Sequence, residues 1–148
     1  MIWGYRILFK IFMLGICFHL PAMAQDMKLV VIANGKGAPT EMKAGQLSSV
    51  MKGEKLRWPD GTKVSIALMK GSTPIGASTS KKIYNMSSNE LNKYWLALVF
   101  QGKADAPNFF SSEAELEEFI SQTKGAIGVV NQPDASSKVV IIDGKLNL

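Results

Sequence analysis

The sequence has one cysteine and one histidine in 148 residues, and both lie near its start, as Cys17 and His19. If the first 24 residues are removed, the rest of the chain has no thiol and no imidazole. Imidazole is the commonest metal ligand and general base, so Ser-His-Asp, Cys-His and zinc chemistry are excluded there. The sequence therefore predicts a protein that is not an enzyme, with no catalytic residue, no metal site and no cofactor. The absence of cysteine also suits an oxidising compartment.

Long apolar runs are also missing, and the one at the N-terminus is short. Arg6 and Lys10 form a basic start, residues 11–20 are apolar, and Ala22 and Ala24 are the small residues of an Ala-x-Ala cleavage site. The apolar run is about half of the roughly 20 residues that a membrane-spanning helix needs. The pattern predicts a signal peptide cleaved after Ala24, with an uncleaved membrane anchor as the alternative.

This prediction divides the chain into a signal peptide, residues 1–24, and a single domain, residues 25–148. Lipidation of Cys17 is disfavoured, because Ile16 stands where a small residue would precede a lipidated cysteine. The mature chain is predicted to be periplasmic, without stable insertion in a membrane. Its length suffices for one domain with a hydrophobic core.

Concentrated positive charge is absent too. The formal net charge is +5, and loss of Arg6 and Lys10, with no acid in the same segment, reduces it to +3. Arg57 would be the one arginine left, and the lysines are scattered along the chain. Nucleic-acid binding usually needs a clustered basic surface, so it is not expected.

The periodicity of the apolar residues predicts an α/β fold, with a mixed or mostly parallel sheet flanked by helices. Four strands and four helices are expected in the order β-α-β-α-α-α-β-β. The strands are predicted over residues 28–33, 64–68, 126–130 and 139–142. The helices are predicted over residues 40–52, from Pro74, from Ser87 or Ser88 to Gly102, and from Ser111 or Ser112 to about Lys124.

Several residues are expected to serve the fold. Gly53 is a helix stop, and Trp58-Pro59-Asp60-Gly61 is a tight turn in which Asp60 helps to fix the backbone. Trp58 and Trp95 are predicted in the core, with stacking on a ligand as the alternative. A helical stripe is expected to face inward at Leu91, Tyr94, Trp95, Leu98 and Val99.

The last predicted helix carries an acidic run near its start, at Glu113, Glu115, Glu117 and Glu118. Carboxylates there complement the helix dipole, and this is favoured over a metal-binding role. Ser112 and Glu115 have the spacing of a capping box.

The candidate binding site is the loop Lys70-Gly71-Ser72-Thr73, which leads into the helix at Pro74. The start of a helix presents unpaired N–H groups and a partial positive charge, so it can hold an anion. Ser72 and Thr73 offer hydroxyl donors, Lys70 offers charge, and Gly71 allows close approach of the backbone. The alternative is a capped helix start without a ligand.

A second loop, Asn34-Gly35-Lys36-Gly37, follows the first predicted strand. Loops at strand ends often carry ligands in α/β folds. A plain surface loop is the favoured interpretation at this position.

A series of short motifs, the landmark string, runs through the predicted domain in a fixed order. In that order and spacing the chain resembles the substrate-binding proteins of phosphate ABC transporters, in their small stand-alone form. The resemblance covers roughly residues 28–142 and implies a single lobe of a type II periplasmic-binding-protein-like fold. The motifs are Met51-Lys52-Gly53-Glu54, Trp58-Pro59-Asp60-Gly61, Gly71-Ser72-Thr73-Pro74, Tyr94-Trp95, Phe100-Gln101-Gly102-Lys103, Pro107 and Gly125-Ala126-Ile127-Gly128-Val129-Val130.

The resemblance also implies a site. In the phosphate-binding proteins the corresponding junction gives hydroxyls and backbone amides to the oxyanion, and the small relatives read Ser-Pro-x-Arg-x-x-Phe there. Thr73-Pro74 matches Ser-Pro, but Gly76 stands at the position of the arginine and Thr79 at that of the phenylalanine. Glycine cannot replace the bidentate, permanently charged contact of a guanidinium.

Two functions follow from these observations. The first is an exported, non-catalytic binding module that holds phosphate or another small oxyanion at residues 70–73. Its partner would be an ABC transporter permease or another envelope protein. The alternative is a structural or interaction module of the cell envelope that keeps the lobe but has lost anion binding.

Overall fold

The computed structural model describes residues 27–148, which form a five-stranded sheet, a two-stranded sheet and four helices. The predicted signal peptide and its cleavage site lie outside the described residues. In the described part of the chain, no helix has the length and apolar character needed to cross a membrane. The elements are β1 (Val30–Ala33), β2 (Glu41–Met42), α1 (Ala44–Met51), β3 (Ser65–Met69), α2 (Pro74–Tyr84), α3 (Ser88–Phe100), β4 (Asn108–Phe110), α4 (Glu113–Gln122), β5 (Ala126–Val130), β6 (Lys138–Val139) and β7 (Ile141–Ile142).

The five-stranded sheet has the order β4-β3-β5-β1-β6 and is mixed. β3 is parallel to both β4 and β5, whereas β1 is antiparallel to both β5 and β6. Helical crossovers connect the parallel strands, as parallel pairing requires. β2 and β7 pair in parallel as a separate small sheet. The predicted α/β class with a mixed sheet is confirmed.

Helices cover both faces of this sheet, so two cores form. On one face α4 packs through Leu116 and Ile120 against the sheet, where Phe119 also contacts Phe110 with 5.2 Å between ring centroids. On the other face, α1, α2 and α3 enclose a larger core that includes Met51, Trp58 and Trp95. All five residues of β5 are buried because it is the middle strand and both of its faces are covered.

The predicted elements are confirmed to within a few residues, with three corrections. β4 was missed, because three residues are too few to show a periodicity. Residues 41–42 are a strand and not the start of α1. The predicted last strand is broken into β6 and β7, which belong to different sheets.

Two side-chain predictions also need correction. Val99 was expected to face inward but is 44% exposed, whereas Leu91 and Trp95 of the same helix are buried. Ser112 accepts a hydrogen bond from the Glu115 N–H at 3.3 Å, but the return bond of a capping box is not formed. A complete box is formed at the start of α3, between Ser87 and Glu90.

The Trp58 turn is joined to the start of β5 by one buried hydrogen bond. The Trp58 indole N–H donates to the Gly125 carbonyl oxygen at 2.9 Å, and Trp58 is 4% exposed. Gly125 has φ +81°, and a Cβ there would overlap the Lys63 carbonyl oxygen. Asp60 accepts from the Thr62 N–H at 2.9 Å, and hydrogen bonding to Thr62 lowers the pKa of Asp60. The prediction that Trp58 is a core residue and Asp60 a turn residue is confirmed.

The Tyr-Trp motif secures the end of α1. The Tyr94 hydroxyl donates to the Lys52 carbonyl oxygen and the Tyr84 hydroxyl to that of Met51, each at 2.6 Å. The last carbonyl groups of a helix have no partner within the helix, so these hydroxyls satisfy them. Burial raises the pKa of the Tyr84 hydroxyl above its usual value. Trp95 packs edge-on against both rings.

Candidate functional site

The candidate loop lies at the edge of the sheet where three parallel strands end. Because β3, β4 and β5 run in the same direction, their carboxyl ends meet at one edge. The Lys70 N–H donates to the Phe110 carbonyl oxygen at 2.9 Å, which holds the start of the loop beside the end of β4. Open α/β sheets generally bind ligands at this edge.

The loop is a tight turn whose threonine is engaged in the fold. The Thr73 N–H donates to the Lys70 carbonyl oxygen at 2.9 Å, and the Thr73 hydroxyl donates to the same oxygen at 2.6 Å. That hydroxyl also accepts from the Gly76 N–H at 3.0 Å, which makes Thr73 the N-cap of α2. Thr73 thus shapes the loop, and its hydroxyl proton is not available to a ligand in this arrangement.

Gly71 is required by a contact within the protein. A Cβ at this position would lie 2.6 Å from the Cβ of Ser88, the first residue of α3, far below an ordinary contact distance. The Ser88 hydroxyl donates to the Gly71 carbonyl oxygen at 3.2 Å. Gly71 therefore lets the start of α3 pack against the loop, a role that the sequence alone did not reveal.

Gly76 is required by a closer contact. It is buried in the first turn of α2, and a Cβ there would overlap the Lys70 carbonyl oxygen and lie 2.6 Å from the Met69 carbonyl oxygen. Every residue other than glycine has a Cβ, so an arginine does not fit at position 76 in this backbone. Because Gly76 has no side chain, the first turn of α2 can lie close against the end of β3.

Four donors and one cation of the loop remain open to an anion. Among the described residues, the N–H groups of Gly71, Ser72 and Ile75 donate no hydrogen bond, and neither does the Ser72 hydroxyl. Pro74, the first residue of α2, has no N–H to add. Lys70 is exposed, and the one ion pair within residues 27–148 joins other residues, Lys63 and Asp105.

The start of α2 also differs from the other helix starts. α3 and α4 carry acidic residues in their first turns, Glu90 in one and Glu113 and Glu115 in the other. At α1, the Asp143 carboxylate accepts from the Ala44 N–H at 3.3 Å. The first turn of α2 contains no acidic residue. A carboxylate already neutralises the other three helix starts, so an external anion is favoured most at α2.

The second candidate loop, residues 34–37, lies at the opposite edge, because β1 is antiparallel to β5. The Asn34 side-chain amide donates to the carbonyl oxygens of Ile120 and Ser121, at 2.8 and 3.1 Å. The Gly125 N–H donates to the Lys36 carbonyl oxygen at 2.9 Å. The two bonds from Asn34 satisfy carbonyl groups in the last turn of α4, and the bond to Lys36 holds the loop in place. The loop therefore serves the fold.

Sequence reasoning missed two other positions at the carboxyl edge. Ser111 follows β4 and Asn131 follows β5, so the topology places both at the same edge as Lys70. The sequence does contain a pair of serines directly after Phe109-Phe110. Their position at the carboxyl edge can be recognised only when β4 is known to be a strand.

The acidic run on α4 holds the loop that follows β5 through hydrogen bonds. Glu113 accepts from the N–H groups of Asn131 and Gln132, at 2.5 and 3.1 Å. Glu117 accepts from the Asp134 N–H at 2.9 Å and from the Ser137 hydroxyl at 2.8 Å. Within residues 27–148, no group of three His, Cys, Asp or Glu side chains is placed to hold a metal ion.

The chain matches no protein-family model and no curated protein, but its fold is similar to solved structures. An ABC-type phosphate transport receptor from Vibrio cholerae superposes with a TM-score of 0.63 and 13% identity, over 82% of this chain and 48% of that one. PstS from Borrelia burgdorferi gives 0.59 and 16%, over 80% of this chain and 48% of that one. A Clostridium perfringens structure described as a phosphate ABC transporter substrate-binding protein with bound phosphate gives 0.58 and 11%, over 80% and 46%.

The chain thus has the fold of phosphate ABC transporter substrate-binding proteins, and it spans about half the length of these three structures. The resemblance predicted from the landmark string is confirmed at the level of the fold, as is the prediction of a single lobe. Among these neighbours, the V. cholerae protein is described as a receptor and the C. perfringens protein as a substrate-binding protein.

Proposed function

We propose that this chain is an exported, non-catalytic binding module that holds phosphate or a similar small oxyanion at residues 70–73. The main observation that supports this proposal is the set of unpaired hydrogen-bond donors around Lys70. They lie at the carboxyl edge of a fold shared with phosphate receptors. The N–H groups of Gly71, Ser72 and Ile75 and the Ser72 hydroxyl donate to the anion. Lys70 neutralises part of its charge.

The proposed affinity is low, for two structural reasons. Gly76 stands where the small relatives carry arginine, and its contact with Lys70 leaves no room for that side chain. A single lobe also leaves the anion exposed on one side, so water competes with every donor. We expect a Kd of about 1 mM, which corresponds to roughly −4 kcal/mol.

In this proposal the module works in the periplasm beside an ABC transporter permease or another envelope protein. The V. cholerae and C. perfringens neighbours are described as transport proteins, which supports this setting. The packing of Gly76 favours one alternative, a lobe that serves as an interaction module and binds no anion.

Calorimetric titration of the purified protein with phosphate at low ionic strength tests the proposed site. Saturable heat is expected, and Lys70→Gln should weaken binding about three- to fivefold, because a charge-assisted contact is lost. Ser72→Ala should weaken binding by a similar factor, since one hydrogen bond contributes about 1 kcal/mol. Neither variant should change the unfolding midpoint, because both side chains are exposed.

Lys36→Gln is the matched control, since it removes one exposed lysine from the loop at the opposite edge. Thr73→Ser keeps the N-cap hydroxyl and should leave both affinity and stability nearly unchanged. An absence of heat at millimolar phosphate, or equal weakening by Lys36→Gln and Lys70→Gln, would refute the site and leave the interaction module.

Export is tested separately by the N-terminus of the protein recovered from cells that express the full chain. Periplasmic protein is expected to begin at Gln25, the residue after the predicted cleavage site. Intact mass and N-terminal sequencing measure this. Recovery of chains that still begin at Met1, in the membrane fraction, would show an uncleaved anchor instead.

A further inference from the structure

A groove lined by both apolar and cationic side chains lies at the opposite end of β3 from the candidate loop. Its cavity volume is about 570 Å³, within the range of ligand and peptide pockets. Its apolar lining residues, called the floor below, include Leu56, Trp95, Val99 and Ala104, and Ser65 at the start of β3 also lines it. Gly53 brings this floor together, since a Cβ there would lie about 3 Å from both the Trp95 ring and the Ala104 methyl group.

The apolar surface continues outside this groove along α3. Leu96, Val99 and Phe100 are 58%, 44% and 83% exposed, and their spacing of three and four residues places them on one side of the helix. Val99 belongs to both the groove and this stripe. The buried side of α3 uses other residues, Leu91 and Trp95, so the exposed stripe does not serve the core of the lobe. Contiguous exposed apolar surface of this kind marks interaction sites.

The charged residues that line the groove, called the rim below, are mostly basic. Four cationic side chains line it, and the single acid among its lining residues, Asp105, pairs with one of them. The rim therefore keeps an excess of three positive charges at neutral pH, as large as the net charge expected for the whole mature chain. The cations are Lys55, Arg57, Lys63 and Lys103.

We propose that this groove binds an acidic, amphipathic segment of a partner protein. The apolar side chains of that segment fill the recess and cover Phe100, and its carboxylates pair with Lys55, Arg57 and Lys103. A second copy of this chain is disfavoured, because a symmetric contact would place the same cations against each other. A lipid surface is disfavoured because a flat bilayer cannot fill a concave recess.

The groove and the candidate loop are separated by the length of β3, so neither site needs the other. The groove touches Ser65 at the start of this strand, whereas Lys70 follows its end. Binding at the groove is therefore expected to be unaffected by Ser72→Ala.

Photocrosslinking in cells of the native host tests the proposal with the full chain. Phe100 is replaced by photoreactive benzoylphenylalanine, and the crosslinked peptide is sequenced by mass spectrometry. We expect one major adduct, with a protein segment that contains more Asp and Glu than Lys and Arg and that has a periodic apolar face. Benzoylphenylalanine at Leu146, which is 64% exposed and lies outside the groove, should not form this adduct.

Charge reversal at the rim provides the second readout. Lys55→Glu with Lys103→Glu should reduce the adduct about tenfold or more, because opposed like charges replace two ion pairs. Lys81→Glu with Lys145→Glu makes the same change in net charge elsewhere and should leave the adduct intact. All four lysines are exposed, so every variant should fold, which circular dichroism checks.

Five results would overturn the proposal. Three concern the adduct at Phe100: no protein adduct, an adduct with lipid, or an adduct with a second copy of this chain. The other two are an adduct with a segment that is not acidic and a yield that both double variants reduce equally.

Discussion

Gly76→Ala should lower the free energy of unfolding by about 2–3 kcal/mol, the cost of forcing extra atoms into a packed site. The added methyl group would overlap the Lys70 carbonyl oxygen and press on that of Met69, so the first turn of α2 must move away from β3. Gly76→Arg should cost at least as much, and it should not produce tight phosphate binding. Urea denaturation followed by circular dichroism measures the stability change.

Gly45→Ala is the matched control for this measurement. Gly45 also lies in the first turn of a helix, α1, but a Cβ there meets nothing within 4 Å. Alanine should therefore raise stability by about 0.5–1 kcal/mol, through its better helix propensity. If Gly76→Ala were as well tolerated as Gly45→Ala, α2 would have room to shift, and steric exclusion could not account for the missing arginine.

Trp58→Ala should cost about 3–5 kcal/mol, as expected for loss of a buried aromatic side chain. Trp58 lies against Gly37 and hydrogen-bonds the Gly125 carbonyl oxygen, so its removal leaves a cavity between the turn and the start of β5. Trp58→Phe should cost about 1–2 kcal/mol, since the ring is mostly retained and one hydrogen bond of about 1 kcal/mol is lost. Thermal and urea unfolding measure both variants.

Comparison of Trp95→Phe with Trp58→Phe separates the contribution of the Trp58 hydrogen bond to stability from the contribution of the lost ring area. Trp95 is equally buried, but its indole N–H has no hydrogen-bond partner among the described residues. The substitution at position 95 should therefore be the milder of the two Trp→Phe changes. The reverse order would show that packing, and not the bond to Gly125, accounts for the importance of Trp58.

The helices could be predicted from the sequence because their starts are marked locally. Thr73, Ser87 and Ser112 are each followed by a residue whose N–H they cap, and apolar residues recur at helical spacing after them. β4 could not be predicted, since it is defined by its pairing with β3 and has three residues, two of them exposed. The order of the strands is likewise a property of long-range pairing, which periodicity does not contain.

The position of the candidate loop at a helix start could be predicted from the sequence, but its contacts could not. The strand-loop-helix pattern is sufficient to place residues 70–73 at a helix start. The contact of Gly71 with Ser88 depends on how α3 packs, and the contact of Gly76 with Lys70 depends on how deeply α2 packs against β3. From the sequence, both glycines are interpreted by their effect on a ligand. In the structure, the groups next to them are other parts of this protein. The exposed side of α3 was missed because a helical stripe does not show which of two apolar sides faces the core.

The position of β1 determines when this lobe can fold. β1 lies between β5 and β6 in the sheet, and Val30 pairs with Val130, which follows it by 100 residues. The Leu148 N–H also donates to the Leu29 carbonyl oxygen at 2.8 Å, so the two ends of the described chain meet. Contacts between residues so far apart in sequence slow folding, because a long loop must close first. Nearly all of the described chain must therefore be synthesised before its sheet can close, a delay that suits a protein proposed to be exported.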